Sequence, residues 1–153
     1  MTLKPASYIS TEVLIIGGGG AGIRAAIEAR EHGAKVLLLS RSRVGYGSNT
    51  TIAGGGFAAV LSPEKGRRDP LDSPGEHLQD TINGGRFLND QALVHTMVHG
   101  AGQQVEDLRG FGVNFMAPDA DSWLNLSAQP GHSHSRMMYT SNTFGTGFTF
   151  PLR

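Results

Sequence analysis

An α/β fold organised around one βαβ unit is what this sequence predicts. Three observations lead there: two short aliphatic runs, a glycine cluster directly after the first run, and a helical stripe between the two. Glu12 to Ile16 (EVLII) is a nearly continuous apolar run, the pattern of a parallel strand covered on both faces. It ends abruptly in Gly17 to Gly20. From Ala21 to His32 the period changes: Ile23, Ala26 and Ile27 share a face, Arg24, Glu28 and Glu31 lie elsewhere, and Gly33 suits the position just past a helix end. Lys35 to Leu39 (KVLLL) reads as a second buried strand. Strand, turn, helix and strand within about 30 residues make a right-handed crossover with parallel strands.

The rest of the chain is less regular. Ser40 to Gly56 is small and polar, closes on Ala53-Gly54-Gly55-Gly56, and reads as a binding loop leading into a short helix. Ser73-Pro74-Gly75-Glu76 is a capping box, predicting a helix to about Asn83. Asn89 to Arg109 carries Leu93, Val94, Met97, Val98, Ala101, Val105 and Leu108 at helical spacing, weakened in the middle by Gly100 and Gly102. Beyond Val113 the pattern fades into turns, with Trp123 and the Phe144, Phe148, Phe150 group reading as core or a docking face. Four segments result: the βαβ unit (12–40), a loop (40–60), a helical segment (73–112) and a polar, aromatic segment (113–153).

Composition narrows the function. The 153 residues fit one compact domain or a piece of something larger, with 13 basic and 13 acidic side chains and no net charge, so no global field draws the chain to nucleic acid. Absence of cysteine excludes disulfides, thiolate metal sites and a cysteine nucleophile within the chain. No apolar run reaches membrane-spanning length and Met1 to Thr11 lacks a signal-peptide layout, so a cytoplasmic location without a direct membrane span is expected. Glycine, 22 of 153, is about twice its usual share of roughly 7% and falls in clusters, which suggests close backbone approach to a ligand.

Gly17, Gly19 and Gly22 fit G-x-G-x-x-G between strand and helix, the context that gives the pattern its meaning. Gly17 allows the tight turn, Gly19 lets a diphosphate approach the backbone, Gly22 permits close packing, and the helix N-terminus offers unpaired N–H groups and its positive dipole to phosphate. The acidic residue expected at the end of the second strand is absent: Ser40 stands there, followed by Arg41, with no carboxylate between Glu31 and Glu64. Two readings fit, Arg41 and Arg43 gripping the 2′-phosphate of NADP, or Ser40 bonding the ribose of FAD. His95 and His99, four apart on a helix, have metal-compatible spacing but no third ligand, and a solvated face is the favoured reading. His132 and His134 read as flavin- or substrate-orienting groups or as plain loop hydrogen bonders, and Arg136 as an anion contact or a surface salt bridge. Asn49-Thr50-Thr51 and Asn125-Leu126-Ser127 match glycosylation sequons with nothing to imply secretion.

At these residues the sequence resembles a known family. Val13 to Ala26 (VLIIGGGGAGIRAA) is similar to the opening of the succinate dehydrogenase and fumarate reductase flavoproteins, which include L-aspartate oxidase. Leu39-Ser40-Arg41 resembles their second-strand ending, and Ser48-Asn49-Thr50-Thr51-Ile52-Ala53-Gly54-Gly55-Gly56 their flavin loop. Asp80-Thr81-Ile82-Asn83-Gly84-Gly85 with Leu88-Asn89-Asp90-Gln91, then Gly131-His132-Ser133 with Arg136, follow in the family's order.

The resemblance implies a Rossmann-like FAD-binding domain, the N-terminal part of a glutathione-reductase-like flavin domain. Cofactor contacts carry over to Gly17, Gly18, Gly19, Gly20, Ala21 and Gly22 for the diphosphate and to Ser40 and Arg41 for the adenosine end. Ser48, Asn49, Thr50, Thr51, Ala53, Gly54, Gly55 and Gly56 then stand beside the isoalloxazine. Respiratory members have a covalently flavinylated histidine where Asn49 stands, so the resemblance implies non-covalent FAD. It also implies that the family's second nucleotide-domain segment, capping domain and proton- and hydride-transfer residues lie outside this sequence, so no residue is assigned as catalytic and none as a metal ligand. The expected partners are a second polypeptide completing the flavoprotein, a dicarboxylate-like substrate and an iron-sulfur electron-transfer subunit. The alternatives are an NADP-binding module and a non-catalytic assembly subunit that retains the fold.

Overall fold

The structure, a computed structural model, describes residues 8–61, 69–116, 126–142 and 144–153. The βαβ unit forms as the sequence predicts: β1 (Val13–Ile16), α1 (Gly20–Glu31) and β2 (Val36–Leu39), the strands parallel with Val13 opposite Val36 and Ile16 opposite Leu39. Coverage of both strand faces is not observed among the described residues. Burial along β1 alternates instead, and Ile16 is 82% exposed, because α1 packs on only one side of a two-stranded sheet.

The 40–60 segment differs from its reading as a loop that leads into a helix. A helical turn, α2 (Asn49–Ile52), lies inside it, and a strand, β3 (Gly56–Ala58), begins directly after Gly55. Ser48 explains the turn, since its side chain accepts from the Thr51 N–H at 3.2 Å. α3 (Pro74–Gly84) starts at its capping box, with Ser73 accepting from the Glu76 N–H. α4 (Gln91–Gly110) begins two residues later than Asn89, because the Asp90 carboxylate caps the N–H groups of Ala92 and Leu93. It is continuous through Gly100 and Gly102. A side chain at Gly102 would meet the Val60 carbonyl at 2.7 Å, so this glycine is where α4 crosses the chain after β3.

The described residues beyond Val113 form more regular structure than their composition suggests. β4 (Met137–Tyr139) pairs antiparallel with β3, Phe57 opposite Met138, and α5 (Thr146–Thr149) packs against α1 and α2. Met138, Ala59, Leu61, Ala101 and Val105 form the core, with Phe57, Phe115 and Leu126 packed onto it. Phe148 joins Phe57 and Phe115 at centroid distances of 5.6 and 6.1 Å, and Phe150 packs on Tyr46, whereas Phe144 is exposed. Trp123 and the sequon residue Asn125 lie outside the described residues. No described helix is long and apolar enough to cross a membrane.

Candidate functional site

The glycine turn joins the end of β1 to α1 and is held from two sides. Gly17 adopts φ +121°, and its N–H donates to the Leu39 carbonyl at 2.8 Å, locking the turn to the end of β2. A side chain at Gly22 would overlap the Gly17 carbonyl, so the third glycine is where the first turn of α1 closes over the strand end. Gly19, in extended conformation, stands at the N-cap position of α1. It provides no side-chain cap, and no acidic residue occupies the first turn. The positive end of the helix dipole is therefore left for a ligand, except that the Gly20 N–H donates to Thr50 Oγ1 at 3.2 Å.

That contact brings the second motif to the first. A Cβ at Gly18 would lie 2.5 Å from Ser40 Oγ, and one at Gly19 would lie 3.1 Å from Ser48 Cβ, so Ser40, Ser48 and Thr50 ring the turn. Arg41 is exposed beside Ser40, and Ala21, Asn49, Ala53 and Gly54 are exposed around the same edge. Thr51 is turned inward: its hydroxyl donates to the Gly45 carbonyl at 3.1 Å and shares a 2.7 Å hydrogen bond with Ser48 Oγ. Gly55 is buried, its carbonyl accepting from the Thr140 N–H and hydroxyl, and Gly56 lies against the Tyr139 ring.

Three residues that sequence reasoning passes over, Gly45, Gly145 and Thr149, hold this assembly. Gly45 donates its N–H to the Gly18 carbonyl at 2.9 Å and accepts from Thr149 Oγ1 at 3.0 Å. Gly145 donates to the Ala53 carbonyl, and any side chain there would overlap the Thr50 carbonyl. Local signals cannot find them, since Thr149 and Gly45 are 104 positions apart.

A second cluster lies under α3. Arg136 is neither an anion contact nor a surface salt bridge: its side chain is 0% exposed, and Nε and Nη2 donate to the buried Asp72 carboxylate at 2.7–3.0 Å. Nη1 donates to Asp80, which also accepts from the Ser133 N–H and hydroxyl at 2.8 Å, so the Asp80 and Gly131-to-Arg136 motifs meet in space. Burial works against the Arg136 charge, but the hydrogen bonds to Asp72 and Asp80 more than offset it. Burial also pushes the Asp80 carboxyl up, and the bonds from Arg136 and Ser133 outweigh it, bringing the pKa down to about 2. His134 pairs with Asp69 at 2.8 Å, while His95 and His99 stack at 3.9 Å on an exposed face. Among the described residues no group of three or more His, Cys, Asp or Glu is placed to hold a metal.

Parallel strands joined by a helix whose open N-terminus meets a glycine turn define a dinucleotide-binding α/β module, with neutral Ser40 in place of the acid that usually bonds a ribose. Residues 12–150 match the FAD binding domain family, and the chain belongs to it. It is 41% identical over 134 residues to one subunit of the CoM/CoB fumarate reductase of Methanothermobacter marburgensis, covering 88% of this chain and 24% of that protein. Against the chloroplastic L-aspartate oxidase of Oryza sativa it is 33% identical, covering 88% of this chain and 19% of that one. Sdh1 of Mycobacterium smegmatis superimposes with a TM-score of 0.83 at 32% identity, over 93% of this chain and 23% of that chain. The chain thus spans about a quarter or less of the length of these relatives. FAD is the cofactor that family and relatives indicate, and the NADP reading of Arg41 and Arg43 gives way to it.

Proposed function

We propose that this chain is the N-terminal FAD-holding part of a flavoprotein oxidoreductase of the succinate dehydrogenase and fumarate reductase type, acting at a C–C bond next to a carboxylate. The observation that carries this reading is the uncapped N-terminus of α1 beside Gly17, Gly19 and the Ser48–Thr50 turn, in a chain whose relatives include an L-aspartate oxidase and a fumarate reductase. FAD, when bound, supplies the hydride chemistry. The chain's own part is to hold and orient it. Gly17 to Gly22 receive the diphosphate, Ser40 and Arg41 the adenosine end, and Ser48 to Thr51 with Ala53 to Gly56 border the ring system. The fit has a physical basis: helix N–H groups at the start of α1, no carboxylate in its first turn, and no side chain at Gly19.

Asn49, exposed at the start of α2, has no nucleophile comparable to an imidazole, so the flavin is held without a covalent bond. The dicarboxylate-like substrate, an iron-sulfur electron-transfer partner, the polypeptide that completes the flavoprotein and a cytoplasmic location belong to the same proposal. Purified with whatever completes it, the protein shows a flavin spectrum, and acid precipitation releases FAD to the supernatant. Flavin remaining in the pellet overturns the non-covalent assignment. An assembly free of flavin that neither gains FAD on titration nor turns over a dicarboxylate overturns the oxidoreductase reading in favour of a non-catalytic role.

A further inference from the structure

His95 and His99 stand on successive turns of α4, both exposed, with ring centroids 3.9 Å apart and ring planes inclined by 20°. Residues four apart on a helix lie one above the other, so the stack follows from the spacing. One of the two rings has its proton placed by a hydrogen bond. His99 Nδ1 lies 2.9 Å from the His95 carbonyl, which can only accept, so the ring proton is on Nδ1 and the lone pair on Nε2. Histidine ligands in metal sites are commonly fixed in this way: one ring N–H is given to a backbone carbonyl and the other nitrogen is left for the ion.

The surroundings select the kind of ion. Two imidazoles without a thiolate suit a borderline divalent transition-metal ion such as Cu²⁺, Ni²⁺ or Zn²⁺, and not the oxygen-seeking Mg²⁺ or Ca²⁺. Gln91 and Gln103 continue the same row of α4 one turn before and one turn after the pair. No Lys or Arg occurs between Arg86 and Arg109, so no cation of α4 stands close enough to repel an ion. The other four histidines offer no comparable pair. His77 and His132 have buried Nδ1 atoms, His134 is bonded to Asp69, and His32 stands beside Glu28, whose carboxylate Arg24 holds at 3.0 Å. We propose that His95 and His99 chelate one borderline divalent transition-metal ion, each through a ring nitrogen, with water filling its other positions. Two protein ligands make an open, exchangeable site and not a closed structural centre. The chelate joins two turns of α4 directly ahead of Gly100 and Gly102, where the helix is intrinsically weakest, so the ion also stiffens it. The site is separate from the glycine turn and does not rest on the reaction proposed above.

The test uses the flavin-loaded protein with its natural partners, prepared without an affinity tag and titrated calorimetrically with the chlorides of Ni²⁺, Cu²⁺ and Mg²⁺. Wild type is expected to bind one Ni²⁺ per chain that the His95→Gln, His99→Gln double variant does not, with Cu²⁺ tighter than Ni²⁺ and no competition from Mg²⁺. Each single variant weakens Ni²⁺ by at least about tenfold, and the double variant adds little to either, because a chelate is lost with its first ligand. Excess Ni²⁺ raises the melting temperature of the wild type and not that of the variants. Both side chains are exposed, so flavin content and the far-UV circular dichroism spectrum are expected to stay unchanged in all three variants. Equal Ni²⁺ affinity in wild type and double variant, losses that add as for two independent ligands, or Mg²⁺ displacing Ni²⁺ at similar concentration overturns the proposal.

Discussion

Arg136→Met removes a cation that makes three hydrogen bonds to the Asp72 carboxylate while keeping a long apolar side chain in its place. The wild-type pair is desolvated: Arg136 is 0% and Asp72 5% exposed at the side chain, joined by bonds of 2.7, 2.9 and 3.0 Å. Breaking one side of such a pair leaves a buried charge poorly compensated and costs about 3–5 kcal/mol. Against a typical domain stability of about 5–15 kcal/mol, that is about a fifth or more of the total. Adding Asp72→Leu removes the stranded charge, so the double variant is expected to regain at least about 1 kcal/mol over Arg136→Met alone, since buried ion pairs are replaceable by apolar groups. Urea unfolding followed by far-UV circular dichroism on the flavin-loaded protein reads both numbers. A cost below about 1 kcal/mol for Arg136→Met would refute the reasoning, because only a solvated pair is worth so little.

Gly19→Val drives a side chain into Ser48, whose Cβ lies 3.1 Å from where the new Cβ would stand, and so disturbs the turn proposed to receive the diphosphate; the flavin-to-protein ratio is expected to fall to background, and unchanged occupancy sinks the phosphate-turn assignment. Asn49→His restores a ring nucleophile, so in a competent assembly part of the flavin is expected to stay with acid-precipitated protein, and complete release contradicts the alignment at Asn49. Asp80 ionises at about 2 in the folded chain against an ordinary 3.8, so its contribution is present above about pH 4 and is lost as pH falls towards 2. His77, depressed below its ordinary 6.5, adds an earlier loss that begins as pH drops through 6.5, when only the unfolded chain takes up the proton. Melting curves across this range check both windows, and Asp80→Asn is expected to flatten the lower one alone.

How much of this is legible in the sequence depends on contact distance along the chain. The βαβ unit can be read because its signals are local: two apolar runs, a glycine turn and one amphipathic helix within about 30 residues. The serine caps of α2 and α3 are equally local, but only Ser73 has the glutamate and proline that advertise it, so Ser48 looks like an ordinary loop serine. β4 and α5 escape a sequence reading because three- and four-residue elements show no period, and β4 exists through pairing with β3 some 80 residues earlier. Arg136 escapes it for the same reason. Arginine defaults to the surface, and only the return of Asp72 and Asp80 beneath β4 makes its burial affordable.

The glycine excess has a wider cause than the one its clustering suggests. Gly17 and Gly19 shape the turn proposed to receive a ligand, but the tightest packing is of the chain against itself. Gly22 meets the Gly17 carbonyl, Gly102 the Val60 carbonyl and Gly145 the Thr50 carbonyl. These three positions tie α1, α4 and α5 to the glycine turn and the 40–60 segment proposed to border the cofactor. The expected cofactor surface is thus built from residues far apart in the chain: Thr149 and Gly145 fix Gly45 and Ala53, which in turn set the backbone around Gly18 and Thr50. A βαβ fragment ending at Ser40 would keep the fingerprint and lose that support. Its Gly20 N–H would have no Thr50 to bond, and Gly18 no Gly45. Intact G-x-G-x-x-G in a sequence is therefore evidence for the turn, and the capacity to hold a dinucleotide depends on contacts from as far away as Gly145 and Thr149.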